Sequence, residues 1–384
     1  MLPFFTQDHS ALQEQVRLWV ENNLFAGCDS EDDIEQRARS VVQELGAAGF
    51  LKRAVPRQFG GVREQVEARD LCILREELAR GDALADTMFA LQALGSYPIT
   101  LAGSSAQKQN YLPRVANGAA IAAFAITEPE AGSDVASLQT TAVRQGEQFI
   151  LNGTKRFISN AGIANFYVVF ASTSPEKKAK GVSAFIVDAN TPGFAVKEKT
   201  KLISPHPIGV LEFTDCRLPE AALLVVEGDG LKIALKTLDL LRCSVGAAAV
   251  GFAQRALQEA IRYSKARKQF GRAIAEFQGI EFKLAEMATE LEAARLLVYQ
   301  AAWTHDSGNA DAKQKSSMAK FYATEAAQRI VDQALQIHGG NGLIAGSIME
   351  RLYRDVRGLR IYEGTSEIQK LVIARSLLKA TGNK

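Results

Sequence analysis

One carboxylate, Glu363, stands where it could serve a site rather than the solvent. It lies in Arg360-Ile-Tyr362-Glu363-Gly364-Thr365-Ser366-Glu367-Ile-Gln-Lys-Leu. Gly364 or Thr365 caps the helix that follows, which puts Glu367 in the first turn, where the helix dipole favours negative charge. Glu363 precedes that cap on a connecting turn between an aromatic and a glycine, free to point into a cleft. A solvated surface side chain is the bland alternative. In Tyr263-Ser-Lys-Ala-Arg267-Lys-Gln269-Phe270-Gly271-Arg272, an arginine at a helix end beside a Phe-Gly turn offers a bidentate contact to a pyrophosphate, or forms part of a solvated basic face. Gln336-Ile-His338-Gly339-Gly340-Asn341-Gly342 ends a helical pattern with three glycines in four residues. One glycine is enough for a helix C-cap, so three leave room for a ligand close to the backbone. His338 has no second histidine nearby in sequence and reads as structural. Phe124-Ala-Ile126-Thr127-Glu128-Pro-Glu-Ala-Gly132-Ser133-Asp134 runs a strand into a turn rich in hydroxyls and acids. Its N–H groups and the Thr127 and Ser133 hydroxyls suit a polar heterocycle or phosphate, although composition alone favours an ordinary Pro/Gly turn at a strand end. No G-x-S-x-G elbow, P-loop, H-E-x-x-H or post-strand G-x-G-x-x-G occurs, and no metal set is read.

The elements that must position these residues follow from proline and periodicity. Seven of the ten prolines lie between Pro113 and Pro219, and none follows residue 219. Because an interior proline costs a helix roughly 3 kcal/mol, the final third is free to be helical throughout. Leu284, Met287, Leu291, Ala294 and Val298 step by three and four, the spacing of one buried stripe. Leu238 to Ala260 is rich in small apolar residues, as in a helix packed on most sides. Residues 7 to 110 also read as helices, punctuated at Gly46 to Gly49, Pro56 to Gly61 and Gly95 to Pro98. Between them the pattern turns to strands: Ala122 to Ile126, Phe166 to Ala171, Ala184 to Val187 and Gly209 to Phe213. Asn152-Gly153, flanked by apolar runs, predicts a hairpin turn. The order is therefore helices, a small antiparallel β domain from about 120 to 225, and helices again, with a cleft expected between sheet and helices.

Composition narrows the function classes. At ~150 residues per domain, 384 residues predict two or three domains. Forty-five basic against 43 acidic side chains leave a net charge of +2, too little for a global field toward nucleic acid or an anionic membrane. No apolar run approaches the ~18 residues that span a bilayer. The opening Met1 to Ser10 has neither a secretory nor an organellar leader pattern, so the expected place is the cytoplasm. Cys28, Cys72, Cys216 and Cys243 form no C-x-x-C pair and read as reduced, packed thiols.

T-E-P-x-A-G-S-D at 127–134, R-K-Q-F-G at 267–271, Q-I-x-G-G-N-G at 336–342 and I-Y-E-G-T-S-E-I-Q at 361–369, in this order, resemble the acyl-CoA dehydrogenase family of flavoenzymes. The resemblance runs from about residue 8 to residue 380. It implies an α+β subunit with an N-terminal α-helical domain (1–119), a central antiparallel β-barrel domain (120–226) and a C-terminal four-helix-bundle domain (227–384). FAD lies between barrel and bundle in a homotetramer or, less often, a dimer. Phe124, Ile126, Thr127, Ser133, Phe157 and Ser159 are implied to surround the isoalloxazine ring. Arg267, Gln269, Phe270, Gln278, Gln336, Gly339 and Gly340 of a neighbouring subunit are implied to hold the pyrophosphate and adenosine, and Thr365, Ser366 and Glu367 also to touch the cofactor. Ser133, Asp239, Arg242, Tyr362 and Gly364 match positions on the acyl-CoA, although Asp239 and Arg242 are also placed for an i,i+3 pair worth only ~0.2–0.5 kcal/mol.

Glu363 matches the family's base. The implied reaction is α,β-dehydrogenation of an acyl-CoA to a trans-2-enoyl thioester: Glu363 takes the α-proton while the β-hydrogen leaves as hydride to flavin N5. Burial against the acyl chain should raise the carboxyl pKa. The flavin ribityl hydroxyl and the Glu363 N–H would receive the developing oxyanion. The implied acceptor is an electron-transfer flavoprotein. Three alternatives stay open: an oxidase that uses O₂, a dehydrogenase for acyl groups on a carrier protein, and a silent thioester-binding protein. Straight, branched, cyclic and dicarboxylic acyl groups are equally compatible. The sequence departs from the family pattern at Phe157, more often Trp, at Glu130, often glycine, and at Lys201-Leu-Ile-Ser-Pro205-His206-Pro207, where relatives carry a G-x-R-x-S type run.

Overall fold

In the computed structural model of the chain, residues 4–24 and 33–381 are described. Met1 to Pro3, which open the run read for a leader, and Cys28 lie outside them. Five helices come first: α1 (Gln7–Asn23), α2 (Ile34–Ala47), α3 (Ala68–Gly81), α4 (Ala83–Ala102) and α5 (Ser105–Ala116). Strands follow: β1 (Ala122–Ala125), β2 (Thr141–Gln145), β3 (Gln148–Ser159), β4 (Phe166–Ser172), β5 (Val182–Asp188), β6 (Phe194–Lys199) and β7 (Ile208–Pro219). The proline-free remainder forms α6 (Gly230–Ala266), a ribbon of β8 (Lys268–Gln269) and β9 (Arg272–Ala273), α7 (Gln278–Asp306), α8 (Ala312–His338), α9 (Ile348–Gly358) and α10 (Ser366–Thr381). A helical N-terminal region thus precedes a curled sheet and a helical C-terminal region.

Two compact units result, one made of Met1–Ser30, Glu67–Asp86 and Asp239–Lys384, the other of Glu31–Val66 and Thr87–Leu238. In the first, Met287, Leu291, Ala294 and Val298 are buried as their spacing predicts, while Leu284 is partly exposed. Helix α6 is buried almost continuously from Leu240 to Ala253 and runs so close to α3 that a Cβ on Gly251 would lie 2.1 Å from the Glu76 carbonyl oxygen. Helix α3 is buried on nearly every side although Asp70, Arg75, Glu76, Glu77 and Arg80 stand on it. Buried charges persist only when paired. Arg75 makes a two-pronged contact with Asp86 at 2.8 and 2.9 Å, and Glu76 accepts from Arg295 Nε at 2.9 Å and from the Tyr299 hydroxyl at 2.7 Å.

The second unit holds the sheet, in the order β1-β4-β2-β3-β7-β6 with β5 beside β4. The expected antiparallel pairing holds for β2–β3, β3–β7, β4–β5 and β6–β7, but β1 runs parallel to β4. The long connection through β2 and β3 supplies the crossover a parallel pair requires. The Asn152-Gly153 hairpin does not form. Both residues lie inside the continuous strand β3, at a register shift against β7, and the β2–β3 turn falls at Gly146 and Glu147. Gly153 is there for closeness: a Cβ would stand 2.6 Å from Thr140 Oγ1. Gly95 to Pro98 likewise does not break α4, which runs through Pro98. Burial of Met88, Phe89, Ala93 and Ile99 outweighs the local proline penalty, and Gly95 lets the helix approach β1, its Cβ position 2.7 Å from that of Ala122.

Candidate active site

Glu363 sits on the turn between α9 and α10 with a φ of 53°, followed by Gly364 at 91°. A left-handed glutamate is a strained residue, and such strain persists only where the surroundings over-determine it. Those surroundings are specific. Lys320 Nζ, from α8, donates to the Tyr362 carbonyl at 3.0 Å and to the Gly364 carbonyl at 2.5 Å. Gln369 Nε2 donates to the Gly364 carbonyl at 2.9 Å and to that of Glu363 at 3.4 Å. Thr365 caps α10, its Oγ1 accepting from the Ile368 N–H at 3.3 Å, and the Ser366 hydroxyl donates to Glu325 at 2.7 Å. Glu367 is exposed in the first turn of α10, where its own N–H and the Thr365 hydroxyl hold its carboxyl below the usual range.

The Glu363 side chain as a whole is half-buried, but its Oε2 is buried with no hydrogen-bond partner among the described residues. Burial pushes this carboxyl above the ordinary range, against the pull of Arg75, Lys320 and Arg242 and with a further upward push from Asp86. A carboxylate oxygen so placed is neither hydrogen-bonded by a partner nor free to hydrate. Arg242 is tied to Asp239 by the i,i+3 pair at 2.7 Å, so the structural alternative for these two residues is realised. Yet Arg242 Nε is buried and unpartnered and its charge acts on Glu363. Arg75, Asp86 and Lys320 are charged neighbours of Glu363 that motif reading passed over. Each stands on a helix remote from the 361–369 motif, so no linear pattern marks it.

The second unit presents the residues implied for a ring. Phe124 and Ile126 are nearly buried, Thr127 is half-buried and Ser133 is exposed. Phe157 lies in the second register shift between β3 and β7, with φ 55°, and is 48% exposed; the irregularity turns the ring outward, as bulges do beside sites. The motif's Glu128 is structural: buried Lys155 Nζ contacts it at 2.6 Å and its carboxylate accepts the Gln139 and Thr140 N–H groups at 2.5 and 3.0 Å, pinning the 127–134 turn. Ser159 Oγ meets His206 Nε2 at 3.0 Å, so the departing Pro205-His206-Pro207 loop reaches the predicted site residue, and burial holds that imidazole below its ordinary range.

In the first unit, the β8–β9 ribbon turns at Phe270 and Gly271 with φ of 53° and 83°. Phe270 is 93% exposed. The side chains of Arg267, Gln278 and Gln336 make no hydrogen bond or ion pair among the described residues, and a Cβ at Gly271, Gly339 or Gly340 would meet nothing within 4 Å. Free donors beside open backbone fit a phosphate-bearing cofactor. His338 is structural as expected, stacked on Tyr263 at 4.3 Å between ring centres, with its Nδ1 at 2.7 Å from the Ala334 carbonyl.

Comparison with known proteins matches these features to one family along nearly the whole chain. Models described as the N-terminal, middle and C-terminal domains of acyl-CoA dehydrogenase match residues 6–119, 123–216 and 228–378. An acyl-CoA dehydrogenase of Bacillus subtilis (strain 168) is 40% identical over 379 residues, 98% of this chain and 99% of that protein. The structure of butyryl-CoA dehydrogenase from Megasphaera elsdenii superposes with a TM-score of 0.90 at 34% identity, covering 97% of this chain and 99% of the other. The FAD complex of PigA does so at 0.90 and 33%, covering 97% and 98%. No helix among the described residues is long and apolar enough to cross a membrane.

Proposed function

This chain belongs to the acyl-CoA dehydrogenase family, and from that premise we propose that Glu363 is the base that removes the α-proton of a bound acyl-CoA thioester. The protein is a flavin-dependent oxidoreductase that dehydrogenates acyl-CoA with FAD as cofactor. FAD, when bound, takes up the two electrons that leave with the β-hydrogen. The observation that carries the assignment is the buried, unpartnered Oε2 on a left-handed turn. Glu363 is held ready rather than stabilised, and burial lifts its pKa toward the operating range of a general base. Its backbone N–H also lacks a partner among the described residues, leaving it free to receive the thioester oxygen as negative charge develops there. Loss of the α-proton to Glu363 and of the β-hydrogen with its electron pair leaves a trans-2-enoyl thioester.

Around this centre the reading assigns Phe124, Ile126, Thr127, Ser133, Phe157 and Ser159 to the ring of FAD, and Thr365, Ser366 and Glu367 to its near side. Arg267, Gln269, Phe270, Gln278, Gln336, Gly339 and Gly340 take its phosphates and adenosine from a neighbouring subunit. Ser133, Asp239, Arg242, Tyr362 and Gly364 line the thioester. The subunit is built as barrel and four-helix bundle over 120–226 and 227–384 after the helices of 1–119, and assembles as a cytoplasmic homotetramer that passes electrons to an electron-transfer flavoprotein.

Glu363→Gln tests the assignment. The variant is expected to purify with normal FAD content, yet its flavin absorbance should not bleach when a panel of acyl-CoA thioesters is added without oxygen. Bleaching at the wild-type rate would remove Glu363 from the role.

A further inference from the structure

The Glu363 turn offers three consecutive carbonyls, and all of them are taken by two side chains. Lys320 bridges the outer two, those of Tyr362 and Gly364, and Gln369 takes that of Glu363 while sharing Gly364. Lys320 is 0% exposed, on a face of α8 otherwise made of small residues such as Ser316, Ala319, Ala323 and Thr324. An interior ammonium is costly unless its donors are used, and Lys155, the structural lysine of the sheet, uses one of its own on the Glu128 carboxylate. Among the described residues, neither hydrogen bond of Lys320 Nζ goes to a carboxylate; both go to the backbone on either side of Glu363. The other half of the clamp is equally tight, since a Cβ on Gly364 would stand 2.6 Å from Gln369 Nε2.

We propose that Lys320 is a positioning residue for the dehydrogenation: with the Gln369 amide it holds the Glu363 turn in its left-handed form, and it supplies a fixed positive charge beside the base. This rests on the reading of Glu363 as the base. The charged groups acting most strongly on Glu363 come from four helices: Arg75 of α3, Asp86 of α4, Arg242 of α6 and Lys320 of α8. Lys320 in turn answers to Glu363, Arg242, Glu325 and Glu367, and burial lowers its own pKa to about 8, so it is charged at neutral pH. Removing this cation makes the carboxylate harder to ionise. The acid limb of the rate profile must then move to higher pH.

The test compares Lys320→Met and Lys320→Gln holoenzymes with wild type and Glu363→Gln. Anaerobic flavin bleaching by an acyl-CoA that wild type oxidises is followed across pH, and deuterium exchange of the 360–366 backbone is measured alongside. Both Lys320 variants should retain FAD, shift the acid limb upward by roughly one unit and speed exchange in the turn. Lys320→Met should bleach at least about tenfold more slowly. Lys320→Gln should recover part of that loss, because a neutral amide still donates to a carbonyl but carries no charge. If Glu363→Gln is dead while both Lys320 variants keep the wild-type acid limb and exchange, the Lys320 proposal fails and the base stands. If Glu363→Gln still bleaches, the base assignment itself is what fails. Should Lys320→Met not fold, Lys320→Gln alone decides the matter by its limb and its exchange.

Discussion

A glutamate at φ 53° followed by a glycine at 91° is a backbone arrangement that most sequences avoid, and its cost of about 1–2 kcal/mol, carried by the glutamate because glycine adopts positive φ freely, must be met by the contacts around it. Gly364→Ala probes this directly. The new Cβ would collide with Gln369 Nε2 in a conformation alanine disfavours, so the amide must leave the carbonyls it holds. Stopped-flow reduction should slow by tenfold or more at unchanged FAD content; an alanine variant reduced as fast as wild type would mean the turn tolerates rearrangement. Glu363 itself was legible in sequence because its neighbours form an ordered motif. Lys320, Arg75 and Asp86 were not, because nothing in a linear pattern says which buried charge from another helix faces a given turn. Arg242 was half legible: the D-x-x-R spacing announces the pair with Asp239, but only packing brings the guanidinium to act on Glu363.

At the level of elements, helix α3 illustrates how a distant residue completes a local structure. Its N-cap, Glu67, makes no side-chain capping bond; instead the Asp306 carboxylate, from the end of α7, accepts the Ala68 and Arg69 N–H groups at 2.6 and 3.1 Å and the Arg69 Nε at 2.8 Å. Burial alone would raise the Asp306 pKa, but His305, Arg69 and the two N–H groups outweigh it and hold the carboxyl below the usual range. A carboxylate with a depressed folded pKa stabilises the fold above its unfolded value of about 3.9 and loses that contribution as the pH falls through the folded value. Asp306→Ala is therefore expected to cost about 1–2 kcal/mol at pH 7. The gap in thermal midpoint between variant and wild type should close as the pH is taken below about 4; a gap independent of pH would rule out the carboxylate as its source. Elements whose signals were local, such as the proline-free helices and the buried stripe of α7, were read correctly. The Asn152-Gly153 hairpin and the break at Pro98 were misread, because each glycine there serves a close approach to Thr140 or Ala122, which a sequence does not display.

For the molecule as a whole, the proposed sharing of FAD between subunits ties cofactor occupancy to assembly. Phe270 is 93% exposed on the β8–β9 turn, Leu343 and Ile344 are 70% and 59% exposed after the Gly339–Gly340 step, and Phe282 is 58% exposed early in α7. Large apolar side chains exposed on the same segments as the unengaged donors suit the proposed contact with a neighbouring subunit. A ligand or partner that binds only the folded, assembled form stabilises it by mass action, so FAD and assembly should rise and fall together. Phe270→Asp puts a charge into that surface and beside the donors meant for phosphate. Analytical ultracentrifugation should find it in a smaller species than wild type at equal concentration, with less FAD per chain and a lower thermal midpoint that added FAD only partly restores. Full cofactor content in a Phe270→Asp variant that no longer assembles would separate the two properties and place the phosphate-binding donors of each subunit in the service of its own FAD, and full assembly together with full cofactor content would remove Phe270 from both.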